Sequence, residues 1–195
     1  MIIKRCLDIT MNKLIIAIII IAIIGIGAFV FFGRSDQYPS IPPISQHRAS
    51  MLLTSPSFEN NGLIPAKFTC DGGDINPELY VQNVPDGAKS LALIMDDPDA
   101  PGRVFIHWLV WNIDPKTTII KQESRPTGSV EGRTDFGRVG YGGPCPPSGT
   151  HRYFFKLYAL DATLDLPAGS GKNELEKTMK GRVLAETELV GLYER

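Results

Sequence analysis

Two histidines, two aspartates and a tyrosine stand where they could meet at one end of a sheet. Asp97 and Asp99 follow the apolar run Leu91 to Met95, His107 lies in the next apolar run, and His151 and Tyr153 open a third. Side chains two apart on an extended chain share a face, so His151 pairs with Tyr153, and Asp97 with Asp99. His107 lies among hydrophobic residues, where burial disfavours the imidazolium and an unpaired ring nitrogen is costly. Asp97 is its expected partner: a carboxylate accepting one imidazole N–H fixes the tautomer and presents the other nitrogen to a ligand. Arg152 faces away from His151 and is expected at the surface or in an ion pair.

The stretch Gly137 to Gly149, with Pro144, Pro146 and Pro147, runs into His151. So much Gly and Pro forms neither helix nor sheet interior, and its backbone must loop tightly. Bare amides at Gly142 and Gly143 would give donors of the kind that build anion-binding concavities, with the prolines stiffening the wall. Such a site suits a phosphate or carboxylate, provided that the acidic residues are occupied in orienting His and Arg side chains.

The elements that position these residues are strands. Leu52 to Phe58, Ala66 to Cys70, Glu78 to Val84, Leu91 to Met95, Val104 to Ile113 and Tyr153 to Leu160 are β-rich runs separated by turn formers such as Asn60-Asn61-Gly62 and Pro85-Asp86-Gly87. The pattern is all-β, most simply a β-sandwich. Strict alternation places Phe105, His107, Leu109 and Trp111 on one face and Ile106, Trp108 and Val110 on the other. One helix is expected over Glu174 to Lys180, with Asn173 as cap and Glu176 closing a capping box.

Three pieces, Asp97-Pro98-Asp99-Ala100-Pro101, His107-Trp108 and Gly143-Pro144-Cys145-Pro146-Pro147 leading to His151-Arg152-Tyr153, together with Cys70-Asp71-Gly72 and the tail Ala185 to Leu189, resemble the phosphatidylethanolamine-binding protein family. The similarity is to its bacterial and archaeal Raf kinase inhibitor-like branch and covers roughly Met51 to Arg195. The resemblance implies a final strand over Val183 to Tyr193 and a small pocket for phosphate-like head groups, lined by Asp97, His107, His151 and Tyr153. Pro101 and the edge Gly143, Pro144 and Cys145 fall beside it, and Asp99 is a further candidate that also reads as an ordinary turn former. It also places the loops of Cys70 and Cys145 at one end of the fold, where a disulfide or two free thiols are both allowed.

Bulk properties bound the rest. The net charge is −1, with five Lys/Arg against two Asp/Glu in residues 1–48 and fifteen against nineteen beyond, so the globular part is mildly acidic at −4. No basic stripe is available for nucleic acid. Residues 14–32 carry no charge and would span about 28 Å as a helix, enough for a bilayer core. They are expected to be a transmembrane signal-anchor helix behind a short cytoplasmic N-terminus, 1–13, and ahead of a Pro-containing linker, 33–49. Lys4, Arg5 and Lys13 before the span place the domain, residues 50–195, on the extracytoplasmic side.

The function expected is a membrane-tethered, non-catalytic binding module for a small anion, with no cofactor and no metal. Protein partners are open: the resemblance implies a serine protease or a kinase inhibited through the pocket-loop surface, and a second copy as a homodimer is the other candidate. A thiol hydrolase using Cys145 with His107 or His151, or a metal-dependent hydrolase, is the remaining class, although no nucleophile elbow or metal-ligand helix is present.

Overall fold

The computed structural model describes residues 50–195; the expected segments 1–13, 14–32 and 33–49 lie outside the described residues. Among the described residues nine strands form two sheets. The small sheet is antiparallel in the order β1 (Leu52–Thr54), β3 (Leu79–Gln82), β6 (Ile119–Ile120). The large sheet runs β2 (Gly62–Leu63), β9 (Val183–Glu194), β8 (Thr150–Leu160), β4 (Ser90–Asp97), β5 (Phe105–Ile113), β7 (Val130–Glu131). Every residue of β4 is buried, as its unbroken apolar run requires of a central strand covered on both faces.

The core lies on both sides of that strand. Between the sheets pack Leu53, Leu79, Val81, Leu91, Leu93, Met95, Trp108, Tyr153, Phe155 and Leu157. On the other face Ala92, Ile94, Leu109 and Trp111 meet Leu164 and the helix residues Leu175 and Met179. Helix α1 (Lys172–Met179) contributes Leu175 and Met179, four apart and so on one stripe.

The all-β sandwich expectation needs correction in three respects. The large sheet is mixed, because β2 pairs parallel to β9, Gly62 opposite Gly191 and Leu63 opposite Leu192. The run from Ala66 is a 3₁₀ turn over Ala66–Phe68, not a strand: Thr69 Oγ1 donates to the Ala66 carbonyl and accepts the Asp71 N–H, competing with any ladder. Helix α1 starts two residues early, capped at Gly171, whose N–H is accepted by Glu174.

The transmembrane expectation is corrected as well. No helix among the described residues is long and apolar enough to cross a membrane. The expected anchor, and the single-pass topology and extracytoplasmic placement that depend on it, therefore have no support among the described residues.

Alternation in β5 also fails at two points, one opposite Leu91 to Leu93 and one, opposite Met95 and Asp96, that shapes the site. Met95 pairs with Trp108 but Asp96 pairs with Ile106, so His107 is the extra residue of a β-bulge. The bulge turns His107 and Trp108 toward the inter-sheet side together. Ile106, Leu109 and Trp111 face the helix side, where strict alternation had set His107 with Leu109 and Trp111.

Candidate functional site

The bulge is held by the segment that follows β7. Asp135 accepts the Ile106 N–H at 2.8 Å and donates its own N–H to the Ile106 carbonyl at 3.0 Å. One residue on, the His107 carbonyl accepts the Gly142 N–H at 2.9 Å, and His107 Nδ1 lies 2.8 Å from the Gly142 carbonyl. A carbonyl only accepts, so Nδ1 carries the proton and Nε2 is the remaining nitrogen. His107 is 3% exposed. Burial pushes its pKa below the ordinary value; the Gly142 and Gly143 carbonyls and the carboxylates of Asp97 and Asp135 pull the other way without reversing the shift.

His151 supplies the second imidazole. Its Nδ1 lies 2.7 Å from Asp97 Oδ2, with both side chains nearly sealed. Asp97 therefore orients His151, and the expected Asp97–His107 bond is not formed. Asp97 Oδ1 takes the Asp99 N–H at 2.8 Å, which closes the turn after β4. Asp99 itself points outward and grips Arg152 through the Arg152 N–H, Nε and Nη2 at 2.9, 2.9 and 2.7 Å. That grip holds the Asp99 carboxyl down at about 2. The acidic residues are thus occupied in orienting an imidazole and a guanidinium, the condition under which an anion is tolerated.

Tyr153 shares the His151 face, as the spacing requires. Its ring packs edge-on against His107 with centroids 5.1 Å apart, and its buried Oη has no hydrogen-bond partner. Burial and the Asp97 charge push its pKa well up, so the hydroxyl stays protonated. The Cys145 amide draws it slightly back, without the geometry of a hydrogen bond.

The Gly/Pro loop serves the site differently from expectation. The Gly142 N–H is taken by His107 and the Gly143 N–H by Asp74 Oδ1 at 2.6 Å, so neither amide is free for an anion. Both glycines sit where a side chain would crowd a neighbour: a Cβ at Gly142 would lie 2.4 Å from the Phe136 ring, and one at Gly143 would lie 2.5 Å from the Phe68 carbonyl oxygen. Pro144 is buried and its carbonyl accepts the Cys70 N–H at 3.1 Å. Cys145 is bonded to Cys70, with Cα atoms 5.4 Å apart, so the thiol that a hydrolase would need is absent. Pro101 is exposed in the turn between β4 and β5.

Residues that spacing did not single out complete the surroundings. Phe136 packs against Phe105 at 4.8 Å and His107 at 5.3 Å and is 41% exposed, an aromatic wall beside the imidazole. Arg138 lies over Phe136 at 5.6 Å and pairs with Asp74. On the Cys70 side, Asp71 Oδ2 accepts from Tyr193 Oη at 2.7 Å and pairs with Arg195 at 3.1 Å. The only sequence signal for Asp74 is its place after the Gly72-Gly73 turn, which marks many loop residues that hold nothing.

The arrangement gathers two imidazoles fixed through Nδ1, one buried phenol and an aromatic rim. The family model described as phosphatidylethanolamine-binding protein matches residues 54–194. A UPF0098 protein of Pyrococcus horikoshii is 52% identical over 152 residues, covering 74% of this chain and 77% of that one. A UPF0098 protein of Methanothermobacter thermautotrophicus is 51% identical, over 74% of this chain and 99% of that one. Among solved structures, a protein from Chlamydia trachomatis described as a putative phosphatidylethanolamine-binding protein homolog matches with a TM-score of 0.72 and 40% identity, over 75% of this chain and 98% of that one. Escherichia coli YbcL, described as a member of the mammalian family, matches with a TM-score of 0.71 and 32% identity, over 75% and 99%. With most of the described domain matched by the family model and by these relatives, the chain belongs to the phosphatidylethanolamine-binding protein family, with its close relatives among bacterial and archaeal members.

Proposed function

We propose that this chain is a non-catalytic binding module whose pocket takes a small anion bearing a proton, a hydrogen phosphate or phosphomonoester monoanion. The observation that carries the reading is the buried Tyr153 hydroxyl, left without a partner beside two imidazoles whose Nδ1 atoms are already committed. A buried orphan hydroxyl is costly, and a ligand oxygen that accepts from it removes the cost. His107, kept neutral near pH 7 by burial, offers Nε2 as an acceptor. The ligand must therefore present both an acceptor and a donor, which a phosphate monoanion does with P–O⁻ and P–OH.

The test is calorimetric titration of the full-length protein with inorganic phosphate and with O-phosphoethanolamine at pH 6 and pH 8. Saturable binding, tighter at pH 6 and lost in folded His107→Ala and His151→Ala proteins, is expected. The absence of any heat of binding to folded wild-type protein would sink the reading.

A second reading, inhibition of a serine protease, draws on the exposed segment Pro147 to Gly149. It is braced on one side by the Cys70–Cys145 disulfide and on the other by paired backbone hydrogen bonds between Gly149 and Arg195 at 2.8 and 3.3 Å. Rigid exposed loops lose little entropy on binding. Inhibition of a trypsin- or chymotrypsin-type protease, lost on replacing Pro147 and Ser148 together, is the outcome that would favour it.

A further inference from the structure

We infer that Asp74 is a positioning residue of the pocket, acting through the Gly142–Gly143 backbone to hold His107 as a hydrogen-bond acceptor toward the ligand. Asp74 is in the left-handed region at φ 51°, a conformation that Asp and Asn adopt more readily than other non-glycine residues. From there its Oδ1 accepts the Gly143 N–H at 2.6 Å and its Oδ2 takes Arg138 Nη2. The same Arg138 nitrogen donates to the Tyr141 carbonyl at 3.1 Å. The pair thus grips the backbone on both sides of Gly142: the carbonyl before it and the N–H after it.

Gly142 is the residue that orients His107, through its N–H to the His107 carbonyl and through its carbonyl to Nδ1. With no Cβ at Gly142 and the Phe136 ring filling that space, no side chain of its own fixes this peptide, and the Asp74–Arg138 grip supplies the constraint. If the Gly142 carbonyl turned away, Nδ1 would lose its acceptor, the imidazole could carry its proton on Nε2, and the acceptor facing the ligand would become a donor. Asp97 and Asp135 are the charged groups that act on His107, and neither holds this peptide in place.

The affinity side of this inference rests on the anion-pocket reading; the tautomer side does not. The test is ¹⁵N-edited NMR of the histidine rings in the full-length protein, run beside phosphate titration. Wild type is expected to show His107 as the Nδ1–H tautomer. Asp74→Ala should give a mixture of tautomers, a His107 titration moved further below the ordinary value, because a carbonyl that favours the imidazolium is lost, and at least a tenfold loss of phosphate affinity. Asp74→Asn keeps an acceptor for the Gly143 N–H and tolerates the left-handed backbone, so it should restore the tautomer and most of the affinity.

An unchanged His107 tautomer and titration in Asp74→Ala would overturn the inference. Should that variant not fold, Arg138→Met, at a side chain that is 50% exposed, loosens the same grip, and unchanged His107 signals there would overturn it equally. If no form of the protein binds phosphate, the anion-pocket reading fails while the tautomer comparison still decides the role of Asp74.

Discussion

Replacing Tyr153 by Phe should strengthen the fold and weaken the site at the same time. The ring sits in the inter-sheet core, edge-on to His107, and Phe preserves that packing. The hydroxyl is buried with no partner. An unsatisfied buried polar group costs about 1–3 kcal/mol, so deleting it should stabilise by about 1 kcal/mol. For a domain of this size that raises Tm by about 2–4 °C. The same deletion removes the donor assigned to the ligand, one hydrogen bond of about 1.4 kcal/mol, or roughly tenfold in phosphate affinity. Urea unfolding and calorimetric titration of the same preparations read the two effects. Tyr193→Phe is the contrast: its hydroxyl donates to Asp71 at 2.7 Å, so it should lose up to about 1 kcal/mol of stability and leave phosphate affinity unchanged. If Tyr153→Phe were destabilised by 1 kcal/mol or more with phosphate affinity intact, the hydroxyl would have to be satisfied within the protein, and the reasoning that makes it a ligand donor would be wrong.

The remaining expectations concern the supports of the site. Asp97→Ala removes both the acceptor for His151 Nδ1 and the one for the Asp99 N–H, and should cost about 3 kcal/mol in urea unfolding, with phosphate binding lost. Gly143→Ala should be far more damaging than Gly142→Ala: the added methyl meets the Phe68 carbonyl and the Thr69 Cα, both backbone, whereas at Gly142 it meets the half-exposed Phe136 ring, which can swing away; comparing their Tm values checks this. The Cys70–Cys145 bond joins residues 75 apart, so the Cys70→Ser, Cys145→Ser double variant should lose about 4 kcal/mol by the chain-entropy argument, measured against the oxidised protein in urea. For pH, the depressed Asp99 carboxyl contributes stability that is full above its ordinary 3.8 and lost as pH falls toward about 2, no more than about 1 kcal/mol for so exposed a pair. His107, also depressed, gives full stability above its ordinary 6.5 and a decline as pH drops below it, because the unfolded chain then binds the proton more readily. His107→Gln should abolish that upper decline in a pH series of urea midpoints while leaving the acidic one.

What the sequence could and could not disclose follows from which interactions have a period. The core strands were legible because burial imposes alternation or an unbroken apolar run, as in β4 and in the His151–Tyr153 face of β8. The resemblance then picked out both imidazoles, Asp97, Tyr153 and the glycine-proline edge, residues that the fold brings to one end of the large sheet. Pairing among them was not legible, because one inserted residue changes it. Counting by twos cannot reveal that β5 holds a bulge at His107; the bulge exists because Asp135 and Gly142, far along the chain, supply the hydrogen bonds that a ladder partner otherwise would. That same exchange hands His107 to a backbone carbonyl and frees Asp97 for His151, reversing the partner assigned by proximity in sequence. It also explains why the loop amides, which composition presented as bare, are consumed: a segment standing in for a strand must satisfy its own N–H groups, and Gly142 and Gly143 do so against His107 and Asp74. Under the proposed reading, what this end of the sheet offers a ligand is therefore carried by side chains, Nε2 of two imidazoles and one phenol, rather than by a backbone anion nest.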